Sequence, residues 1–212
     1  MKKISQTEIQ NLMALHQKGL DDDLISKATS LVREYPEEII LFNLLGVSFE
    51  KKGYLKKAAD AYKKALEINP NIPEMNFNLG AILFSENKVE EAIQFYEKSI
   101  QLNNRFPEAH FNLGITFQSV GKFDEAIQCY QKAIQIQPGF FEAITNMGTI
   151  KQLQGHLDEA AEFFKKSLSI REDGRGHYNL ANVLRNQGNL SISINHYRKA
   201  IELGSGEAEF YS

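Results

Sequence analysis

The chain has 212 residues, of which 42% are hydrophobic and 24% charged, with a formal charge of −3. That balance belongs to globular proteins and excludes a disordered or collagen-like chain, while the lack of a basic excess argues against nucleic acid as a partner. No apolar run nears the roughly 18 residues that cross a bilayer, and the polar stretch after Met1-Lys2-Lys3 offers no secretory hydrophobic region. With one cysteine, Cys129, no internal disulfide is possible, and the chain is read as cytoplasmic.

Taken in order, residues 1–38 predict a helical hairpin with a turn at Gly19 and a stop at Pro36. From residue 39 the sequence repeats itself. Leu45-Gly46, Leu79-Gly80, Leu113-Gly114 and Met147-Gly148 stand 34 residues apart, and Leu180-Ala181 follows after 33. The same register carries Ala58, Ala92, Ala126, Ala160 and Ser193, then Tyr62, Tyr96, Tyr130, Phe164 and Tyr197. Within one unit Phe42, Leu45, Gly46 and Phe49 fall on one helical face, and Ala58, Tyr62 and Ala65 fall on one face of a second helix. Gly53, Gly121, Gly155 and Gly188 occupy the turn between the two helices, where a left-handed residue closes the first, and Asn87 replaces glycine in the remaining unit. Pro70 and Pro138 stop second helices. Small residues in the glycine and alanine columns predict close helix approach beside the aromatic ring.

This helix-turn-helix with its columns of Leu-Gly, Ala and Tyr resembles the tetratricopeptide repeat over residues 39–207. The repeats are placed at 39–72, 73–106, 107–140, 141–173 and 174–207, with 1–38 as a degenerate N-terminal capping hairpin and 208–212 as the start of a further, incomplete helix in a single solenoid domain. The resemblance implies an all-α fold, a right-handed superhelix with first helices lining its concave side. Asn104 and Glu172 stand where proline is expected, and Gly174-Arg175-Gly176 opens the last repeat beside a one-residue deletion, so irregularity is expected there.

Catalytic chemistry finds no place in this pattern. The histidines His16, His110, His156, His177 and His196 show no metal-binding spacing, so no metal or cofactor is expected. His110 and His177 stand in a core column, and the pairs Asp124-Glu125 and Asp158-Glu159 suit the positive start of second helices.

Two columns back from the buried stripe, about 200° around the helix, lie the residues that would face the groove. One column reads Asn78, Asn112, Asn146 and Asn179, a ladder of amides able to pair with the backbone of an extended peptide. It is similar to the arrays attached to O-linked N-acetylglucosamine transferases. A purely structural use, bonding to the neighbouring repeat, is the alternative. Phe77, Phe84, Phe111 and Ile115 predict apolar pockets, the alternative being that Phe77 and Phe111 lie back over the adjacent hairpin. Glu74, Glu108 and Glu142 would add an acidic rim or simply complement helix dipoles. The lysines of the family's carboxylate clamp are missing from these columns.

The reading is a non-catalytic scaffold that holds an extended segment of a partner protein. Its alternatives are the substrate-recruiting region of a larger protein-modifying enzyme, of glycosyltransferase type, and a structural array that self-assembles through its C-terminal face.

Overall fold

A computed structural model describes residues 3–204; the further helix expected over 208–212 lies outside the described residues. These residues form twelve α-helices with no strand among them. The chain divides into two compact units, residues 1–105 and 106–212.

The first unit contains α1 (Gln6–Gln17), α2 (Asp21–Glu34), α3 (Ile39–Lys51), α4 (Leu55–Ile68), α5 (Pro73–Ser85) and α6 (Val89–Leu102). Ser5 opens α1 with a reciprocal cap: its hydroxyl accepts from the Glu8 N–H, and the Glu8 carboxylate accepts from the Ser5 N–H. Successive helices pack as antiparallel hairpins, α3 on α4 and α5 on α6, and each hairpin then packs on the next through α2 with α3 and α4 with α5. Leu12, Leu24, Ala28, Leu41 and Leu45 make the core at the α1 to α3 end.

The second unit contains α7 (Pro107–Ser119), α8 (Phe123–Ile136), α9 (Phe141–Leu153), α10 (Leu157–Ile170), α11 (Gly174–Asn186) and α12 (Leu190–Leu203). It repeats the same arrangement: α7 pairs with α8, α9 with α10 and α11 with α12, and the hairpins join through α8 with α9 and α10 with α11. A hairpin cannot bury its apolar stripe alone, so stability resides in these neighbour interfaces.

The turns explain the spacing. Gly53, Gly121, Gly155 and Gly188 all have φ between 75° and 82°, and Asn87 takes the same left-handed turn at φ 60°. Glycine meets no Cβ penalty there, and asparagine is the next most tolerant residue. Close approach in the Leu-Gly column is equally concrete. A Cβ added at Gly114 would stand 2.6 Å from the Tyr130 ring, so only hydrogen fits. Tyr62, Tyr96, Tyr130 and Phe164, the aromatic column, are fully buried.

The joint before the last repeat is ordered by a side chain rather than by proline. Asp173 caps α11, its carboxylate accepting from the Gly176 N–H at 2.6 Å. Gly174 and Gly176 are both buried; a Cβ on the first would meet the Ala200 carbonyl at 2.9 Å and on the second Leu168 at 2.7 Å. The missing proline is thus replaced by a cap and two close contacts.

The carboxylates Asp124, Glu125, Asp158 and Glu159 stand in the first turns of α8 and α10, as expected, where the helix dipole favours negative charge. Among α8 and α10 neither N-cap has a side-chain bond. Asp158 also accepts from Gln187 Nε2 at 2.7 Å, tying α10 to α11, and Glu159 pairs with Lys151 at 2.8 Å. No helix among the described residues is long and apolar enough to cross a membrane.

Candidate functional site

The residues expected to face a groove lie on the first helices, but their surroundings differ between the two units. In the first unit Glu74 is exposed on α5, and Phe77, Asn78 and Phe84 are half-buried on the same helix. Phe77 lies against Tyr96 with ring centroids 5.9 Å apart. Asn78 donates to the Tyr62 hydroxyl of the preceding hairpin. Tyr62 in turn donates to Glu50 Oε2 at 3.1 Å, and burial first, then the Glu50 charge, holds its hydroxyl proton well above the usual tyrosine pKa.

The second unit builds the same relay once more. Asn146 Nδ2 donates to the Tyr130 hydroxyl at 3.3 Å, which donates to Gln118 Oε1 at 2.7 Å. Here too burial raises the tyrosine pKa, opposed by the Asn146 bond. One N–H of Asn146 is therefore spent on the neighbouring hairpin. Asn112 and Asn179 are half-buried on α7 and α11. The aromatic of the repeat before Asn179 is Phe164, which has no hydroxyl to receive an amide.

Phe111 is half-buried, with its ring 5.7 Å from Tyr130 and 4.8 Å from Phe140. It thus lies partly back over its own hairpin while keeping a face on a cleft of about 880 Å³. Phe111, Ile115 and Gln118 of α7, Glu142, Thr145 and Asn146 of α9, and Arg171 with residues 173–176 line that cleft. Of the expected residues, the cleft brings together Phe111, Ile115, Glu142 and Asn146. Glu74, Phe77, Asn78 and Phe84 belong to the other unit, and Glu108, Asn112 and Asn179 do not line it.

Sequence reasoning missed Arg171. Its guanidinium carbon stands 3.7 Å from the centre of the Phe141 ring, and Nε and Nη2 donate to Asp173 Oδ2 at 3.3 and 3.1 Å. A flat cation is thereby held on the wall of the cleft. The departure from the repeat pattern at Glu172 and Gly174 was the available signal. Thr145 adds a hydroxyl already engaged with Ser167 Oγ at 2.6 Å and the Phe141 carbonyl at 2.9 Å.

His110 and His177 are buried, as their column predicts. His177 makes an unforeseen contact: its Nδ1 is 2.8 Å from His196 Nδ1, and its Nε2 is 3.1 Å from Glu172 Oε1. Among the described residues no group of three or more histidine, cysteine or carboxylate side chains is arranged to hold a metal ion.

No curated protein matches the chain in sequence. Among solved structures it is similar to a crystal structure of MamA, at 27% identity over 81% of this chain and 97% of that one, with a TM-score of 0.73. It also has the fold of PilW, described as a widely conserved type IV pilus biogenesis factor, at 20% identity, coverage of 100% and 96%, and a TM-score of 0.82. PilF of Pseudomonas aeruginosa shares that fold at 17% identity, coverage of 96% and 93%, and a TM-score of 0.81. Models of the tetratricopeptide repeat match residues 107–140 and 140–205, and a further TPR repeat model matches 46–85 and 80–121. Continuous matches over residues 46–205, on hairpins with the column contacts described above, make this chain a tetratricopeptide-repeat protein.

Proposed function

We propose that the protein is a non-catalytic scaffold that binds an extended segment of a partner protein, and that the cleft of the second unit is where the segment lies. The observation that carries this is the meeting, in one cleft, of an apolar wall from Phe111 and Ile115 with the amide of Asn146 and the stacked guanidinium of Arg171. Apolar anchors beside polar groups that can fix orientation are what a concave binding site supplies. Asn146 donates one N–H to Tyr130 and retains a second N–H and a carbonyl oxygen. Those two groups match the C=O and N–H of a peptide backbone, the pairing that gives affinity independent of side chains. Within the second unit Asn112 and Asn179 would extend the same contact and Glu108 and Glu142 would add an acidic rim, while on the first unit Asn78, with Phe77, Phe84 and Glu74, would offer a peptide contact of its own. A cytosolic site of action suits the single cysteine.

Selection from a random peptide library displayed on phage tests this. The expected result is a set of peptides that bind the protein and lose at least about tenfold in affinity to Ile115→Arg, which fills the cleft, and to Asn146→Ala. Tyr130→Phe separates the two uses of Asn146, because it removes the relay and leaves the amide. Peptides that bind all three variants alike would place the binding surface elsewhere.

A further inference from the structure

Four charged side chains line the cleft of the second unit, and two of them are spent within it. Asp173 accepts from the Gly176 N–H on one carboxylate oxygen and from the Arg171 guanidinium on the other, and the face of that guanidinium lies on Phe141. Glu142, half-buried, and Arg175, exposed, remain. Neither side chain makes an ion pair or a hydrogen bond among the described residues, with the other or with any neighbour.

Their places correspond. Glu142 is the second residue of α9 and Arg175 the second of α11, and the same place holds Glu74 on α5 and Glu108 on α7. The last repeat therefore reverses the charge of its column. A carboxylate in a first turn suits the positive end of the helix dipole, which is reason enough for Glu142. A cation there opposes the dipole, so Arg175 does nothing for the helix that carries it, and it serves no neighbouring hairpin either.

We propose that the segment held in this cleft is dipolar: it carries an acidic side chain that pairs with Arg175 and a basic one that pairs with Glu142, beside an apolar side chain on Phe111 and Ile115. This rests on the cleft being the peptide site proposed above, and names the chemistry that the site selects. Charge complementarity decides the occupant. The planar fork of Arg175 takes a carboxylate in two parallel bonds, and Glu142 accepts from an ammonium or guanidinium. A wholly acidic segment is repelled by Glu142 and a wholly basic one by Arg175. The helices α9 and α11 touch, which sets their axes about 8–10 Å apart. Extended chain covers about 3.1–3.4 Å per residue, so about three positions separate the acidic residue from the basic one. Their order along the segment reports which way it runs.

Peptides selected from the displayed library against the whole chain, then synthesised with an amidated C-terminus, test this by fluorescence anisotropy. The parent should select an acidic and a basic residue about three positions apart. Arg175→Ala should weaken such a peptide about fivefold and Arg175→Glu about tenfold, and exchanging the peptide's acidic residue for lysine should restore its binding to Arg175→Glu. Glu142→Arg should mirror this, rescued by an acid in place of the peptide's basic residue. Circular dichroism checks that every variant is helical. Peptides that lose affinity to Ile115→Arg yet carry no such charge pair, or keep their acidic residue when selected against Arg175→Glu, overturn the dipolar segment and leave the cleft as a peptide site. Binding that needs a free C-terminal carboxylate overturns it too. Peptides indifferent to Ile115→Arg, Asn146→Ala and Arg175→Glu alike, or a library without binders, remove the peptide site and the dipolar segment with it.

Discussion

Acid should loosen the last hairpin before it affects the rest of the second unit. His177 Nδ1 and His196 Nδ1 stand 2.8 Å apart, while His177 Nε2 faces the Glu172 carboxylate. The gap between the two Nδ1 atoms holds one hydrogen, so the contact survives only while at least one ring is neutral. A second proton breaks it and sets two cations side by side on α11 and α12. His196 is held below the usual histidine pKa, first by burial and then by the charges of His177, Lys199 and Lys165. An unfolded chain protonates this ring near pH 6.5, and the folded one only at lower pH. Stability is therefore intact above about pH 6.5, falls between there and the lower folded pKa, and is level below it. Glu172 behaves separately, since its carboxyl is held down first by the bond from His177 and then by that from Lys199, and its contribution fades only at more acid pH.

Each pH unit inside the window removes at most about 1.4 kcal/mol. His196 is partly exposed and solvent screens it, so a loss of about 1 kcal/mol across the window is expected. Hydrogen exchange between pH 7.5 and 5.0, corrected for intrinsic rates, reads this as a roughly fivefold loss of protection in α11 and α12, with α9 and α10 unchanged. His196→Asn keeps a donor for His177 Nδ1 and removes the titration, so its response should be flat. Equal losses in α9 and α10, or an undiminished response in His196→Asn, would refute the reasoning.

Other expectations concern the packing columns. Phe164→Ala empties a fully buried site and should cost about 3–5 kcal/mol in urea unfolding. Gly155→Ala forces φ of 80° on an L-residue in open space, so the cost is backbone strain alone, about 1–2 kcal/mol by thermal or urea unfolding, and Gly155→Asn should cost less, as Asn87 already adopts the same turn. Tyr130→Phe removes a hydroxyl that serves Gln118 and Asn146 and should cost about 1 kcal/mol; an unchanged midpoint would show that water replaces the relay.

Much of this architecture is legible in the chain itself because the repeat is a local device. A left-handed Gly53 or Gly155, a Leu-Gly pair and an aromatic sixteen residues beyond each glycine of that pair act within one hairpin, and five copies in register make the pattern plain. The site is less legible. The asparagine column could be found by spacing, yet spacing does not tell that Asn78 and Asn146 each serve a tyrosine of the preceding hairpin. Nor does it tell that Phe111 is shared between Phe140, Tyr130 and the cleft.

The sequence by itself determined the helical hairpins, their turns and their close pairing, because those follow from backbone conformation and side-chain volume within about 34 residues. Only the tertiary structure decided which polar groups meet. His177 and His196 lie nineteen residues apart on different helices, and Arg171 reaches Phe141 across thirty. Such contacts depend on side-chain rotamers and on helix rotation of a few degrees, which the periodicity of apolar residues leaves free. The exposure of Leu190, Ile194 and Ile201 on α12 was likewise beyond the pattern, since the same column of residues is core on α8 and α10 and surface on α12 solely according to what packs against it.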